Sequence, residues 1–171
     1  MVPFWVAVQE ATLAQGDLLP ECRMPLFSSN FGLSDQFDIP LAVVDFIVMT
    51  QTCDLANLKT GSVALCPIQR LAKFEAVNPN YSKKGQWEQV RKGRVEALHL
   101  LASPENPQDN RDALVVDFRN IVSLPFAYLT RRVAQLETRW RLQSPFLEHF
   151  SQAFARFFMR VGLPAAIPPY K

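Results

Sequence analysis

The chain has 171 residues, 49% of them hydrophobic and 20% charged, with a net charge of +2 at pH 7. That length suits one domain burying roughly 70% of its unfolded surface, and the balance excludes wholesale disorder. So small a charge does not by itself argue for nucleic acid, and no apolar run approaches the ~18 residues of a membrane helix.

Thirteen prolines against six glycines predict many short elements with rigid connections. An apolar run at residues 4–8 is a first strand. It lacks a basic flank and meets Gln9 and Glu10 too soon for a signal peptide. Ala14-Gln15-Gly16-Asp17 makes a turn, and Leu18-Leu19 runs into Pro20, so the second extended piece is brief or at an edge. Residues 20–40 carry three prolines, two adjacent serines and Asn30, and read as an excursion over the surface.

Residues 43–50 (VVDFIVMT) are nearly continuous in apolar character, the pattern of a strand buried on both faces. Residues 62–68 are its expected partner across a hairpin-like connection at 54–61, with Pro67 limiting how central that partner is. A short helix is expected within 70–82, a loosely alternating stretch at 95–101, and a strand at 114–118. One or two helical turns follow at 123–129, opened by Pro125. Residues 131–142 fit both periods, with strand favoured for the second half.

The last helix is predicted over 144–162, with Ser144 as N-cap, Pro145 at the first position and Glu148 in the first turn. Phe146, Phe150, Phe154, Phe157 and Val161 share one apolar face, widened by Leu147 and Phe158. Gly162 and Pro164 end it. The result is one α+β domain, a β-rich body over 1–142 closed by an amphipathic helix.

The segment Thr50-Gln51-Thr52-Cys53-Asp54 follows the long strand and packs hydroxyls, an amide, a thiol and a carboxylate into five residues. Thr50, Gln51, Cys53, Asp54 and His99 are therefore the candidate catalytic residues. One reading makes Cys53 a nucleophile, with His99 or His149 as base and Gln51 or a backbone amide as oxyanion donor. The plainer reading has Thr and Asp closing a turn in one hydrogen-bonded cluster, Asp54 accepting from turn amides, and Cys53 a small buried hydrophobe. Three cysteines, Cys22, Cys53 and Cys66, with no CxxC spacing, imply reduced thiols, no metal, no cofactor and a cytoplasmic setting. His99 reads as a hydrogen-bonded core residue and His149 as solvated.

Between residues 83 and 94 lie five basic residues and one acid; between 131 and 160 lie six arginines and two glutamates. Lys83, Lys84 and Trp87, in an expected loop, and Arg156 and Arg160, one turn apart, are the candidate binding residues. The expected interaction is a protein partner, or weak salt-sensitive nucleic-acid binding through these stretches. Arg156 and Arg160 equally suit pairing with an acid of the body, and Trp87 a position at a core edge.

Residues 50–55, together with 141–146 and 154–164, resemble a family of bacterial proteins with an early Ser/Thr-Gln-Thr-Cys-Asp segment and an Arg-Val-Gly-Leu-Pro ending; this resemblance implies no activity. Gly16-Asp17-Leu18-Leu19, a long loop and then Phe46-Ile47-Val48-Met49-Thr50 are similar to the opening of the PemK/MazF-like toxins, small barrels that cleave RNA. That second resemblance implies a small, partly open SH3-like β-barrel with its active site at Thr50. The chain departs from it at Asp38-Ile39-Pro40-Leu41, where those toxins place Arg-Pro ahead of the strand.

Three function classes follow: a non-catalytic binding or accessory module, an RNA-cleaving or Cys-dependent hydrolytic enzyme at residues 50–54, and a subunit docking through its Phe-rich helix. The module ranks first, because two histidines, no metal spacing and no glycine-rich phosphate loop leave every catalytic constellation incomplete.

Overall fold

Short strands with tight connections build a six-stranded antiparallel sheet and a separate two-stranded one in the computed structural model, which describes residues 2–33 and 38–159. In chain order these are β1 (Trp5–Val8), β2 (Leu18–Pro25), β3 (Leu41–Val48), α1 (Thr52–Ala56), β4 (Ser62–Arg70), α2 (Leu71–Val77), α3 (Gln86–Arg91) and β5 (Leu98–Leu101). Then come β6 (Leu114–Asp117), β7 (Val122–Pro125), α4 (Phe126–Ala134), β8 (Arg139–Leu142) and α5 (Phe146–Phe158). The main sheet runs β2-β3-β4-β6-β5, with β7 also on β4, and β1 pairs with β8 separately. Among the described residues the six-stranded sheet does not close into a barrel; an isolated bridge joins Arg141 of β8 to Asp17, the residue before β2. Among the described residues, no helix is long and apolar enough to cross a membrane.

Side-chain alternation explains where the core sits. Phe46 and Val48 enter one cluster, with Leu65, Leu129 and Val133, under α4. Ile47 enters the other, with Cys66, Val116, Phe118 and Phe150, under α5. The expectation of burial on both faces thus holds for the second half of β3, whereas Leu41 and Val43 in the first half are exposed.

Several expectations are corrected. Residues 20–25 belong to β2 rather than to a surface excursion. A register shift between Leu19 and Cys22, with Glu21 at φ +51°, absorbs Pro20 at the outer strand. Residues 54–61 are not a plain hairpin connection, because α1 lies across their start. β4 is the most central strand despite Pro67. That proline stands opposite Phe46 of β3, and on its other side it falls between Leu65, the last residue paired with β7, and Ile68, the first paired with β6, where no partner residue is registered to it. Residues 122–125 are a strand before α4 starts. Pro145, not Ser144, holds the cap position of α5 and makes no side-chain cap bond. The predicted Gly162–Pro164 stop lies outside the described residues.

Candidate functional site

The 50–54 segment converges only in part: Gln51, Cys53 and Asp54 meet, and Thr50 is engaged elsewhere. Thr50 Oγ1 accepts the Ala64 N–H at 2.8 Å and fastens the end of β3 to β4. Thr52 Oγ1 accepts the Gln15 N–H at 3.1 Å, and the Gln15 amide donates to the Met49 carbonyl at 2.9 Å. Cys53 is exposed rather than buried, with Sγ 3.7 Å from Gln51 Oε1 and 3.8 Å from Asp54 Oδ1. Asp54 faces Lys59 Nζ at 3.6 Å across solvent, instead of accepting from turn amides. The cause is local: β3 ends at Val48 and α1 begins at Thr52, so successive side chains leave in different directions. Cys22 and Cys66 are buried; desolvation raises their thiols to about 11 and about 12, which makes both inert. Among the described residues no group of three or more His, Cys, Asp or Glu could hold a metal ion.

The most densely bonded polar cluster is one that the sequence reading did not single out. Asp17 is completely buried, and its carboxylate accepts from the Ala14 N–H at 2.9 Å, from Arg139 Nε at 2.9 Å and from Arg141 Nη2 at 3.1 Å. Arg139 also donates to the Glu10 carbonyl, and both guanidiniums donate to the Thr12 carbonyl. Arg141 Nη1 reaches the Glu10 carboxylate at 2.9 Å and holds that carboxyl below its ordinary range. Gly16 beside it (φ +81°) bonds to Val48 and Leu142, and a Cβ there would lie 2.9 Å from the Leu147 side chain. The alternation Arg139-Trp140-Arg141 signalled that both arginines share a face; no signal told that the face is buried. Two of the six arginines in the 131–160 stretch are consumed here, so that stretch is not one basic face.

The remaining candidates separate. Trp87 lies in α3, not a loop; it donates to Glu75 Oε1 at 2.7 Å and packs on Phe74 and Tyr81, the core-edge position. Lys83 Nζ is held by Asn80 at 2.8 Å, Lys84 is exposed, and Arg91 and Lys92 both pair with Glu88. Arg160 lies outside the described residues. Arg156 is exposed on α5 and forms no salt bridge with a body acid among the described residues. His99 makes no side-chain hydrogen bond among the described residues; its ring sits against Phe118 and Phe150 at the edge of the core and faces a cleft that His149 also lines.

Burial, with help from nearby His149 and Arg156, lowers the His99 imidazole from the ordinary 6.5 to about 4. Between those pH values the unfolded chain binds more protons, so the stabilisation is complete above pH 6.5 and is lost as the pH falls toward 4. The expected loss reaches about 3 kcal/mol. Urea melts from pH 7 to 4 should show it, and His99→Gln should flatten the profile; an unchanged slope in the variant contradicts this.

A different surface carries the exposed apolar side chains. The β2–β3 arm leaves Leu26, Phe27, Phe31, Leu33, Ile39, Leu41 and Val43 between 42% and 81% exposed. Val43 pairs across the ladder with Arg23, and both line a groove of about 570 Å³ with Tyr128, Arg131, Arg132 and Glu21. Tyr128 Oη accepts the Arg23 N–H at 2.6 Å, and Arg132 holds the Pro20 carbonyl at 3.0 Å, so the groove wall is fixed. No family model, curated protein or solved structure matches the chain.

Proposed function

We propose that the chain is a non-catalytic binding module of a bacterial, cytoplasmic system, and that it docks an acidic, apolar segment of a partner protein along the β2–β3 arm. The observation that carries this is the continuity of an apolar strip with a groove holding three arginines and one glutamate. Exposed apolar patches of this kind mark interaction sites, and the cationic groove selects the sign of the partner. The bridge from Asp17 to Arg141 supports taking β1, β8 and the main sheet as a partly open SH3-like barrel, in line with the resemblances carried by residues 16–19 and 46–50. Enzyme readings at residues 50–54 lack the histidine base they call for: His99 and His149 line a cleft that includes neither Thr50 nor Cys53.

Fluorescence titration with a synthetic peptide of alternating Leu/Phe and Asp/Glu tests the reading. Binding should weaken about tenfold in Leu41→Asp/Val43→Asp and in Arg131→Glu, with Tm unchanged, and should fall with salt. Equal binding of a Lys-substituted peptide, or self-association of the chain through the arm in sedimentation, overturns it.

A further inference from the structure

The chain has two histidines, fifty positions apart, and the fold brings both to one cleft of about 380 Å³ between β5, the end of α3 and α5. His99 enters from β5. From α5 come His149, Gln152, Ala153 and Arg156, the i, i+3, i+4 and i+7 positions of a single helical face. Ala153 keeps the middle of that face short, which leaves room between the two basic ends. The apolar floor includes Val90 and Leu98.

The charge arrangement is unbalanced. Arg91 and Lys92 at the rim share the single Glu88 carboxylate, at 2.6 and 3.3 Å. Glu96 is the one carboxylate among the described lining residues. The Arg156 guanidinium donates to the Gln152 carbonyl, at 3.4 Å, and has no carboxylate within salt-bridge distance among the described residues. His149 and Arg156 both oppose protonation of His99. His99 is held neutral above about pH 4, so the Arg156 guanidinium supplies the fixed charge and the imidazole N–H groups supply further donors, a convergence that suits a tetrahedral dianion accepting from several directions.

We propose that this cleft binds the phosphate of a phosphomonoester, with Arg156, His149 and His99 as its donors and the apolar floor beneath the ester group. A cavity of this volume holds a phosphate with an attached sugar or base. The site is independent of the β2–β3 arm, so either can fail alone.

Two histidines make the readout direct, because each imidazole gives its own long-range nitrogen–proton NMR signal. Titration of the full chain with adenosine monophosphate should shift both signals saturably. The His99 titration midpoint should rise in the loaded protein, as reciprocal linkage requires. Arg156→Glu and His149→Ala, both at exposed positions, should weaken binding about tenfold while leaving Tm unchanged. A 5′-phosphorylated oligonucleotide binding more tightly than adenosine monophosphate identifies a polynucleotide end as the source; the reverse order identifies a small ester. Signals that do not move at millimolar phosphate ester, that move equally in Arg156→Glu, or that respond equally to a 5′-hydroxyl oligonucleotide overturn the proposal.

Discussion

Asp17→Ala should destabilise the protein by about 3–5 kcal/mol, because it strands a buried guanidinium. Asp17 is fully buried and the Arg139 side chain is 1% exposed. Taking each out of water costs several kcal/mol, and the ion pair offsets this only while every donor and acceptor is matched. Here they are matched: Asp17 accepts one amide and two guanidiniums, while Arg139 also bonds the Glu10 and Thr12 carbonyls. Without the carboxylate, Arg139 stays enclosed with its charge uncompensated and the Ala14 N–H has no acceptor. Asp17→Asn keeps an acceptor but not the charge, so its loss should be smaller. Urea unfolding decides: a midpoint shift worth less than about 1 kcal/mol for Asp17→Ala would mean that water or a neighbouring group replaces the carboxylate. The network's role is to fasten the turn before β2 to β8, more than 120 positions away in sequence.

This cluster shows where sequence reasoning stops. Local periodicity revealed the buried half of β3, the strand character of β8 and the apolar face of α5, because each is written within a dozen residues. Side-chain convergence is not local. Asp17 gave no hint of Arg139 and Arg141, and His99 gave none of His149, since the partners lie on different elements. At residues 50–54 adjacency in sequence carries over to space only in part: the strand-to-helix turn keeps Cys53 beside Gln51 and Asp54 but turns Thr50 toward β4. The prolines divide: Pro20 stands in the edge strand β2, an expected position, where a bulge absorbs it, whereas Pro67, expected to keep its strand from the centre, sits in the most central one, where the partner strand changes.

The Phe-rich helix yields the second large effect, and the sequence could not rank its phenylalanines. Phe150 is fully buried, with ring centroids 5.8 Å from Phe118 and 5.5 Å from His99, in the cluster that holds Ile47, Val116 and Leu142. Phe154 is partly buried against the same cluster, and Phe158 is 54% exposed although it shares the helix. Phe150→Ala should therefore cost about 3–5 kcal/mol, the transfer free energy of the ring plus a cavity that the sheet is too stiff to close. Phe154→Ala retains solvent on one side and should cost about 1–2 kcal/mol. Phe158→Ala should stay within about 0.5 kcal/mol. Urea unfolding of the three variants measures this order directly. If Phe158→Ala were as damaging as Phe150→Ala, α5 would have to sit rotated about its axis from the position described, and the face that carries His149 and Arg156 would turn with it. The stability series thus also tests the wall of the histidine cleft, because one helical rotation sets both the buried ring and the exposed donors.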